Sequence, residues 1–319
     1  RLSRLLCMVL LVTVLVGSHA TQVSAGSLFV VTVVNEGNDA IPGDGICATA
    51  SETCTLRAAI QEANALAGAD TIAFSLPGGG MHVISITTAA LPAITEQLTL
   101  DGTSQPGCTV PCIVLGGGAL GGSNNGLSVN TNDSIIQGFV ITSCSNFGIL
   151  IIGNGNIIQS NDIGFWPGNP ALLPNGSGIS ILGANNLIGG ILPGDRNVIS
   201  GNTGEGIRIG NGCCLVTSAN VVRGNYIGIK ETGTAALGNA NGVYVSQTAT
   251  NTIIGGTTAS ARNVISGNRA FGIMVNGAVG TMIQGNYIGT NAAGTGALGN
   301  HQDGIAINFG ARLTQVGGV

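Results

Sequence analysis

Short alternations of apolar and variable residues run through most of the sequence. A Gly, an aliphatic residue, any residue and a second aliphatic residue occur six times, at 148–151, 178–181, 206–209, 242–245, 272–275 and 304–307. The position between the two aliphatic residues is held by Leu150, Ser180, Arg208, Tyr244, Met274 and Ala306. A period of two predicts short strands with one buried face. A position that accepts Arg, Tyr and Ala is predicted to face outward, and its aliphatic neighbours to face inward.

A second phrase, which ends in Asn, alternates with the first. It occurs as IIQSN, VISGN, VVRGN, VISGN and MIQGN, and its terminal residues are Asn161, Asn202, Asn225, Asn268 and Asn286. An Asn side chain tolerates a left-handed backbone, and its amide can bond the same amide in a neighbouring coil. The five Asn residues are therefore predicted to form one stacked ladder at a sharp bend.

Both phrases belong to a longer repeat. The segment at 224–245 returns almost intact at 285–307, and a looser copy precedes them; Asn161, Asn225 and Asn286 mark spacings of 64 and 61 residues. Repeats of this length indicate a stacked architecture. The strands lack paired hairpin turns, so each is predicted to pair in parallel with its copy in the next coil.

These patterns predict an all-β fold, a right-handed, single-stranded parallel β-helix of the pectate-lyase-like kind. The hand follows from the right-handed preference of parallel crossovers. Three coils of about 20–22 residues each are expected to fill one long repeat. The last residues, LTQVGGV, look like the start of another copy of NTIIGG at 251–256. The natural chain is therefore expected to continue beyond residue 319.

The region before the repeats contains a predicted helix. In the segment 54–68, apolar residues recur at helical spacing, Thr53 or Thr55 can cap the N-terminus, and Gly68 can end the helix. A solenoid needs a cap over its first coil. The helix is placed to provide that cap.

Several phrases in this region resemble a known family. GDGIC, CTLRAAIQEANA, GADTIAFSLPGG and LPAITEQLTLDGTSQPG are similar to the CSLREA-type N-terminal domain of secreted bacterial β-helix proteins. The resemblance covers residues 28–107, and the NVISGN and GNYIGTNAAGT phrases look like the repeats that accompany that domain. Arg57 matches the Arg of the family motif, whereas Thr55 and Ala58 replace its Ser and Glu. The resemblance implies a right-handed β-helix and export, and it implies no reaction.

The first residues have the features of a secretory signal peptide. Arg1 and Arg4 precede an apolar run from Leu5 to Val16, and cleavage after Ala20 or after Ala25 satisfies the small-residue rule. The run is too short to span a membrane. The predicted organisation is a signal peptide at 1–25, a CSLREA-like cap region at 26–107 and β-helix repeats at 108–319. The mature protein is expected to be secreted or held at the cell surface, without membrane insertion.

Export makes disulfides permissible. The spacing allows Cys47 with Cys54, and Cys108 with Cys112, to close short loops. Spacing leaves three further cysteines of the mature chain without an assigned pairing, and these are Cys144, Cys213 and Cys214.

Composition limits the partners. The chain is 44% hydrophobic, only 8% of its residues are charged, and its net charge is −4. A nucleic-acid partner is not expected from such a charge. No cofactor is expected either; the turn Gly-Asp-Gly around Asp44 is a weak signal for Ca²⁺, and the nonapeptide Ca²⁺ repeat is absent.

Few residues of the repeat region can carry chemistry. Its acids are Asp162, Asp195, Glu205, Glu231 and Asp303. Glu205, Arg208 and Arg223 form one candidate binding group, since both arginines occupy outward positions. The simpler interpretation of these residues is a solvated surface ion pair without a binding role. His301 and Asp303 form a second candidate, because they deviate from the preceding repeat. The simpler interpretation of this deviation is ordinary sequence variation in a loop. For Trp166, Tyr226 and Tyr287, the pattern favours packing at corners over stacking on sugars.

Two function classes follow. The scarcity of clustered acids favours an exported, non-catalytic β-helix scaffold or adhesin-like protein that binds polysaccharide or cell-wall glycan. The alternative is a polysaccharide lyase or glycoside hydrolase acting on an acidic polysaccharide, which requires carboxylates to converge on one exposed face. No catalytic residue is assigned from the sequence.

Overall fold

A computed structural model describes residues 25–108, 111–118, 120, 122–169, 171, 173–212 and 217–317. The predicted signal peptide lies outside this part of the chain, apart from Ala25. Cys213 and Cys214 also lie outside it.

The described residues are almost entirely β-structure. One α-helix, α1, spans Leu56–Ala65, and short 3₁₀ segments span Gly102–Ser104, Pro193–Asp195 and Ala259–Ala261. The strands in chain order are β1 Leu28–Val31, β2 Asp70–Phe74, β3 His82–Ser85, β4 Leu98–Asp101, β5 Ile113–Gly116, β6 Leu127–Val129, β7 Ile135–Gln137, β8 Phe139–Thr142, β9 Phe147–Ile151, β10 Ile157–Gln159, β11 Asp162–Ile163, β12 Ser177–Ile181, β13 Leu187–Gly189, β14 Val198–Ile199, β15 Ile207–Ile209, β16 Thr217–Ser218, β17 Val221–Arg223, β18 Tyr226–Ile227, β19 Val243–Val245, β20 Ala249–Thr250, β21 Ile253–Gly255, β22 Val264–Ile265, β23 Ile273–Asn276, β24 Met282–Gln284, β25 Tyr287–Ile288, β26 Ile305–Asn308 and β27 Gln315–Val316.

These strands form three long parallel sheets. Sheet A has the order β1-β2-β4-β7-β10-β13-β17-β21-β24-β27, sheet B the order β3-β5-β8-β11-β14-β18-β22-β25, and sheet C the order β6-β9-β12-β15-β19-β23-β26. Strands β16 and β20 form a fourth, two-stranded sheet. From β4 to β26, each coil passes through sheets A, B and C in turn, and each strand pairs with its equivalent in the next coil. The predicted parallel β-helix is confirmed.

The interior is one continuous apolar column. Ile179, Ile207 and Ile273 have no exposed surface, and each stacks in register on its equivalent in the neighbouring coil of sheet C. The variable residues between them form a separate outward row. Within that row Ser180 and Ala306 are nevertheless buried, because small side chains are covered by longer neighbours such as Arg208 and Met274.

The coils are longer than the sequence predicted. In sheet A, the register partners Ile157, Leu187, Val221, Ile253 and Met282 are 30, 34, 32 and 29 residues apart. Two coils, and not three, therefore fill one repeat of 61–64 residues. The prediction failed because it treated IIQSN and VISGN as the same strand, whereas β10 belongs to sheet A and β14 to sheet B.

The predicted Asn ladder is wrong for the same reason: its members belong to two ladders. At the corner between sheets A and B, each side-chain amide donates to the next carbonyl oxygen, over 2.9–3.1 Å, through Asn161, Asn197, Asn225, Asn263 and Asn286. At the corner between sheets B and C, the series is Asn175, Asn202, Asn239, Asn268 and Asn300, over 2.8–3.2 Å. A third, shorter series at the entry to sheet A contains Asn156, Asn186 and Asn220. All three corners need the same solution, so their sequence phrases look alike.

Helix α1 packs against the first coil, as predicted. Its N-cap is Thr55, whose hydroxyl oxygen accepts a hydrogen bond from the backbone N–H of Ala58 at 3.0 Å. Leu56 and Ile60 are fully buried in the same core cluster as the sheets. Strands β1 to β4 already belong to sheets A and B. The sheets therefore run across the predicted boundary at residue 107.

An ion pair connects helix α1 to the loop that follows β1. Arg57 contacts Glu36 at 2.9 Å and donates further hydrogen bonds to the carbonyl oxygens of Ala89 and Ala90. Burial alone would raise the pKa of Glu36, but hydrogen bonds from Thr87, Arg57 and Thr88 outweigh burial and hold the pKa at about 2. Arg57 is the residue that matches the family motif, and its contacts are structural.

Replacement of a ladder residue should cost far more than replacement of a surface Asn. Asn225 has no exposed surface, and its side chain bonds Ile188 O, Arg223 O, Asn197 and Asn263. Asn225→Ala leaves several of these groups buried without partners, so we expect a loss of about 2–4 kcal/mol in the free energy of unfolding. Urea denaturation measures this loss.

The matched control is Asn132→Ala, at an exposed position where the side-chain oxygen accepts hydrogen bonds from the backbone N–H and the side-chain amide of Asn154. We expect a cost below about 1 kcal/mol there. Equal costs for the two substitutions would contradict the role given to the ladders.

Candidate functional site

The structure places the first predicted binding group on two faces. Arg208 lies in sheet C, where its guanidinium is 5.6 Å from the ring centroid of Tyr244. The carboxylate of nearby Glu205 accepts a hydrogen bond from the Ser177 hydroxyl at 3.0 Å. Arg223 lies in sheet A, with a buried Nε that has no hydrogen-bond partner. Among the described residues, the sole ion pair is Arg57 with Glu36, so these three residues form no charge cluster.

The second predicted group is solvent-exposed. His301 and Asp303 lie in the segment before β26, and their backbones bond the preceding coil: His301 N donates to Asn268 O, and Asp303 O accepts from Gly272 N. No contact between their side chains is present. Neither side chain is therefore buried or paired with the other in a way that would change its reactivity.

Two pairs of cysteines are joined as disulfides, Cys47 with Cys54 and Cys108 with Cys112. Cys144 is free and buried, and burial raises the pKa of its thiol to about 12. A thiol held neutral in this way is a poor nucleophile. It occupies a ladder position, since its backbone N–H donates to Asn175 Oδ1.

A different acid stands out in the structure. The outward row of sheet B consists, in coil order, of Val83, Val114, Val140, Asp162, Val198, Tyr226, Val264 and Tyr287. Asp162 is the one charged residue in this row. It lies directly between Val140 and Val198 and is only 7% exposed.

Asp162 replaces a tyrosine of the repeat. In the two following copies its position holds Tyr226 and Tyr287. The rings of these tyrosines are covered by Arg196 at 4.1 Å and by Arg262 at 4.0 Å, respectively. The two tyrosines thus pack at the corners, as predicted. A carboxylate in the same position is much shorter than a phenol ring, so the space outside it is left open.

That space is a cleft at the corner of sheets A and B, which we call the corner cleft. Its volume is about 280 Å³. Gly138, Ser160 and Asp162 line it together with the wall residues Thr103, Cys108, Pro111, Gly194 and Arg196. Arg196 is the cationic residue of the wall.

The electrostatics of Asp162 differ from those of an ordinary surface carboxylate. No described residue donates a hydrogen bond to its side chain. Burial raises its pKa from 3.8 to about 7, and the negative charge of Glu231 contributes to the rise. The group is therefore divided between its acid and its carboxylate forms at neutral pH.

A smaller cleft, the loop cleft, lies between the loops that follow β11 and β18. Its volume is about 130 Å³, and Trp166, Lys230 and Glu231 are among its lining residues. Trp166 is half-buried, whereas Lys230 and Glu231 are exposed. The charge of Glu231, which lines the loop cleft, acts on Asp162, which lines the corner cleft. The linings of the two clefts together contain two carboxylates, two cations and an indole ring.

The sequence contains a signal for this site that the repeat motifs did not bring out. Among the candidate residues of the sequence, Asp162 was only one of several acids. The comparison of SNDIG at 160–164 with GNYIG at 224–228 and 285–289 shows the replacement of Tyr by Asp directly. Its significance depends on burial and on the surrounding walls, which the repeat alone does not give.

The described ranges include no group of three or more His, Cys, Asp or Glu side chains that could hold a metal ion. Asp44 accepts a hydrogen bond from Ile46 N in its exposed turn. No helix in the same ranges combines the length and apolarity needed to cross a membrane.

Two solved structures are similar to this chain. The crystal structure of alginate lyase from Paenibacillus sp. str. FPU-7 is 17% identical over 80% of this chain and 72% of its own, with a TM-score of 0.40. The crystal structure of pectate lyase Pel9A is 15% identical over 91% of this chain and 79% of its own, with a TM-score of 0.38. No family model matches the sequence, and no curated protein is significantly similar to it. These values carry no conclusion about activity.

Replacement of Asp162 should change how stability depends on pH. Since the pKa is raised in the folded state, the ionised form costs free energy there, and stability falls as pH rises from about 4 to about 7. Asp162→Asn removes that cost. We expect the variant and the wild type to be alike near pH 3.5, and the variant to be more stable by on the order of 1–4 kcal/mol at pH 8.

Thermal unfolding between pH 3.5 and 8 measures this difference. The control is Asp303→Asn, at an exposed carboxylate, which should leave the pH profile unchanged. A constant offset between wild type and Asp162→Asn across the whole range would show that Asp162 does not titrate near neutrality.

Proposed function

We propose that the protein is an exported β-helix scaffold that binds an extended polysaccharide on the outer face of sheet B. The observation that carries the proposal is the break in the outward row of that sheet, where Asp162 takes the place that a tyrosine holds in the following repeats and lines the corner cleft. Export is supported by the N-terminal sequence and by two disulfides in the described residues.

The lining of the two clefts suits a sugar chain. Binding sites are concave and combine apolar or aromatic surface with a few well-placed polar groups. Trp166 supplies a large flat ring with a polar edge. Asp162 and Ser160 supply hydroxyl-binding groups, and Arg196 supplies a planar set of donors. A polysaccharide is long enough to contact both clefts at once, whereas a small ligand is not.

The charges favour a polysaccharide that carries carboxylates. Arg196 and Lys230 can pair with uronate groups. Asp162 opposes them only when it is ionised, so binding should be stronger below pH 7 than above it. A neutral polysaccharide would show a weaker dependence on pH.

Trp166 is the residue whose loss should weaken binding most. Truncation of a buried aromatic anchor costs more than about 1.4 kcal/mol in many interfaces, which is a factor of about ten in affinity. We therefore expect Trp166→Ala to bind at least about tenfold more weakly. Affinity electrophoresis in gels containing polygalacturonate, alginate or neutral xyloglucan, at pH 5.5 and 8, measures the retardation.

Phe309→Ala is the matched control, because that ring is 81% exposed and lies after β26, outside both clefts. Its retardation should equal that of the wild type. Lack of retardation of the wild type by every polysaccharide, or equal retardation of Trp166→Ala, would contradict the proposal.

A second candidate function, glycoside hydrolysis, is favoured by the perturbed acid alone. Protonated Asp162 would donate its proton to the glycosidic oxygen as the bond to the anomeric carbon breaks. Glu231 would remove a proton from the water that attacks that carbon, so that both protons are accounted for. An acid with a pKa near 7 is suited to the first of these roles.

Product analysis separates this candidate from simple binding. If the site hydrolyses its ligand, new reducing ends should form from polygalacturonate or alginate, and both Asp162→Asn and Glu231→Gln should lower the rate by about a hundredfold or more. Glu205→Gln, in the segment before β15, is the control. A lyase would instead yield unsaturated ends that absorb in the ultraviolet. Retardation without either product would leave the scaffold function and exclude catalysis on these substrates.

A further inference from the structure

A buried carboxylate at the start of sheet A lacks half of its partners. Asp70, the first residue of β2, is 1% exposed. Its Oδ1 accepts a hydrogen bond from the backbone N–H of Ser27 at 2.6 Å. Its Oδ2 is buried and has no hydrogen-bond partner.

Such an oxygen needs a hydrogen-bond donor, and a cationic donor would stabilise it most. A carboxylate removed from water without a counter-charge is costly, and buried unsatisfied oxygens are rare in native proteins. No Lys, Arg or His in the described part of the chain pairs with Asp70, where the one ion pair is that of Arg57 with Glu36. Within the described residues, the fold therefore gives the Asp70 carboxylate one neutral hydrogen-bond donor and no positive charge.

The chain immediately before Ser27 runs alongside Asp70. Strand β1 pairs in parallel with β2 from Leu28 and Thr71 onward, and Thr71 N donates to Ser27 O at 2.8 Å. Gly26 continues this path so closely that a Cβ at this position would lie 1.8 Å from the carbonyl oxygen of Ala69. The nitrogen of Gly26 is one residue, at most about 3.6 Å, from the Ser27 nitrogen that already bonds the carboxylate.

We propose that the precursor is cut between Ala25 and Gly26, and that the new α-ammonium group of Gly26 pairs with the carboxylate of Asp70. In the cut, a signal peptidase adds water across the peptide bond, which leaves a carboxylate on Ala25 and an ammonium group on Gly26. The ammonium group brings a positive charge and three donors to the place where Oδ2 lacks one. The inference rests on the export proposed above.

The alternative cut after Ala20 does not have this effect. It leaves residues 21–25 attached, and the nitrogen of Gly26 stays a neutral peptide nitrogen. Sequence rules permit both positions, whereas the unsatisfied carboxylate distinguishes them. The ion pair would also fasten the first strand of the solenoid, at the edge where β1 has a neighbour on one side only.

The position of the cut is tested on the full chain. Expressed in a bacterial host with its own leader, the protein should be exported, and N-terminal sequencing together with intact mass should give Gly26 as the first residue. A mature chain that begins at Thr21 would overturn the inference and leave export intact. Retention of the uncut chain inside the cells would overturn both.

The ion pair is tested separately, on chains released from a fusion partner so that they begin at Gly26, at Ala25 or at Thr21. The chain beginning at Gly26 should unfold about 2–4 °C higher than the other two, which corresponds to about 1 kcal/mol for a chain of this size. In the Asp70→Asn background this advantage should disappear.

Asp101→Asn is the control for that comparison, since Asp101 lies in β4 of the same sheet and bonds Thr103 and Gln137. It should leave the advantage of the Gly26 chain unchanged. Equal unfolding temperatures for the three chains, or an advantage that persists in Asp70→Asn, would overturn the proposed pair.

Discussion

Hydrogen bonding at the corners is the constraint on which this solenoid depends. A coil that turns sharply three times leaves backbone groups facing a dry interior, and each must find a partner there. Stacked Asn side chains supply these partners, because each amide bonds both a backbone carbonyl and the next amide, as Asn197 does with Ile158 O and Asn225. A shift of one residue in any coil would break the series at every corner. The ladders therefore fix the register of the sheets as well as closing the turns.

Fixed register has a consequence for function. When every coil superposes on its neighbours, each outward position belongs to a row whose other members show what the fold requires there. Tyr226 and Tyr287 satisfy that requirement with a ring that an arginine covers. Asp162 does not satisfy it, and burial there makes its ionised form costly. A buried acid with a strongly perturbed pKa in a cleft is a candidate for ligand binding.

The sequence predicted the parts of the structure that depend on local pattern. The alternation around Ile179 gave the inward column and the parallel stacking, and the apolar spacing after Thr55 gave the helix and its cap. The sequence did not predict the number of coils per repeat. Corners with the same geometry favour the same residue, so Asn161 and Asn202 look equivalent in the sequence although they lie at different corners. Nor did it give the corner cleft. Its wall residues Thr103, Cys108 and Pro111 are far from Gly194 and Arg196 in the chain, and the two groups meet only when the coils are stacked.

Three carboxylates, Glu36, Asp70 and Asp162, show how the same chemical group takes different roles. Glu36 receives hydrogen bonds from Thr87 and Thr88 as well as the guanidinium of Arg57, so its charge is stabilised and its role is structural. Among the described residues, the side chain of Asp70 receives one backbone donor and that of Asp162 receives no hydrogen bond. A carboxylate that the fold leaves without partners is costly to bury in its ionised form. The proposals above give Asp70 the chain's own new terminus as a partner, and give Asp162, which lines a cleft, a molecule that the cleft admits.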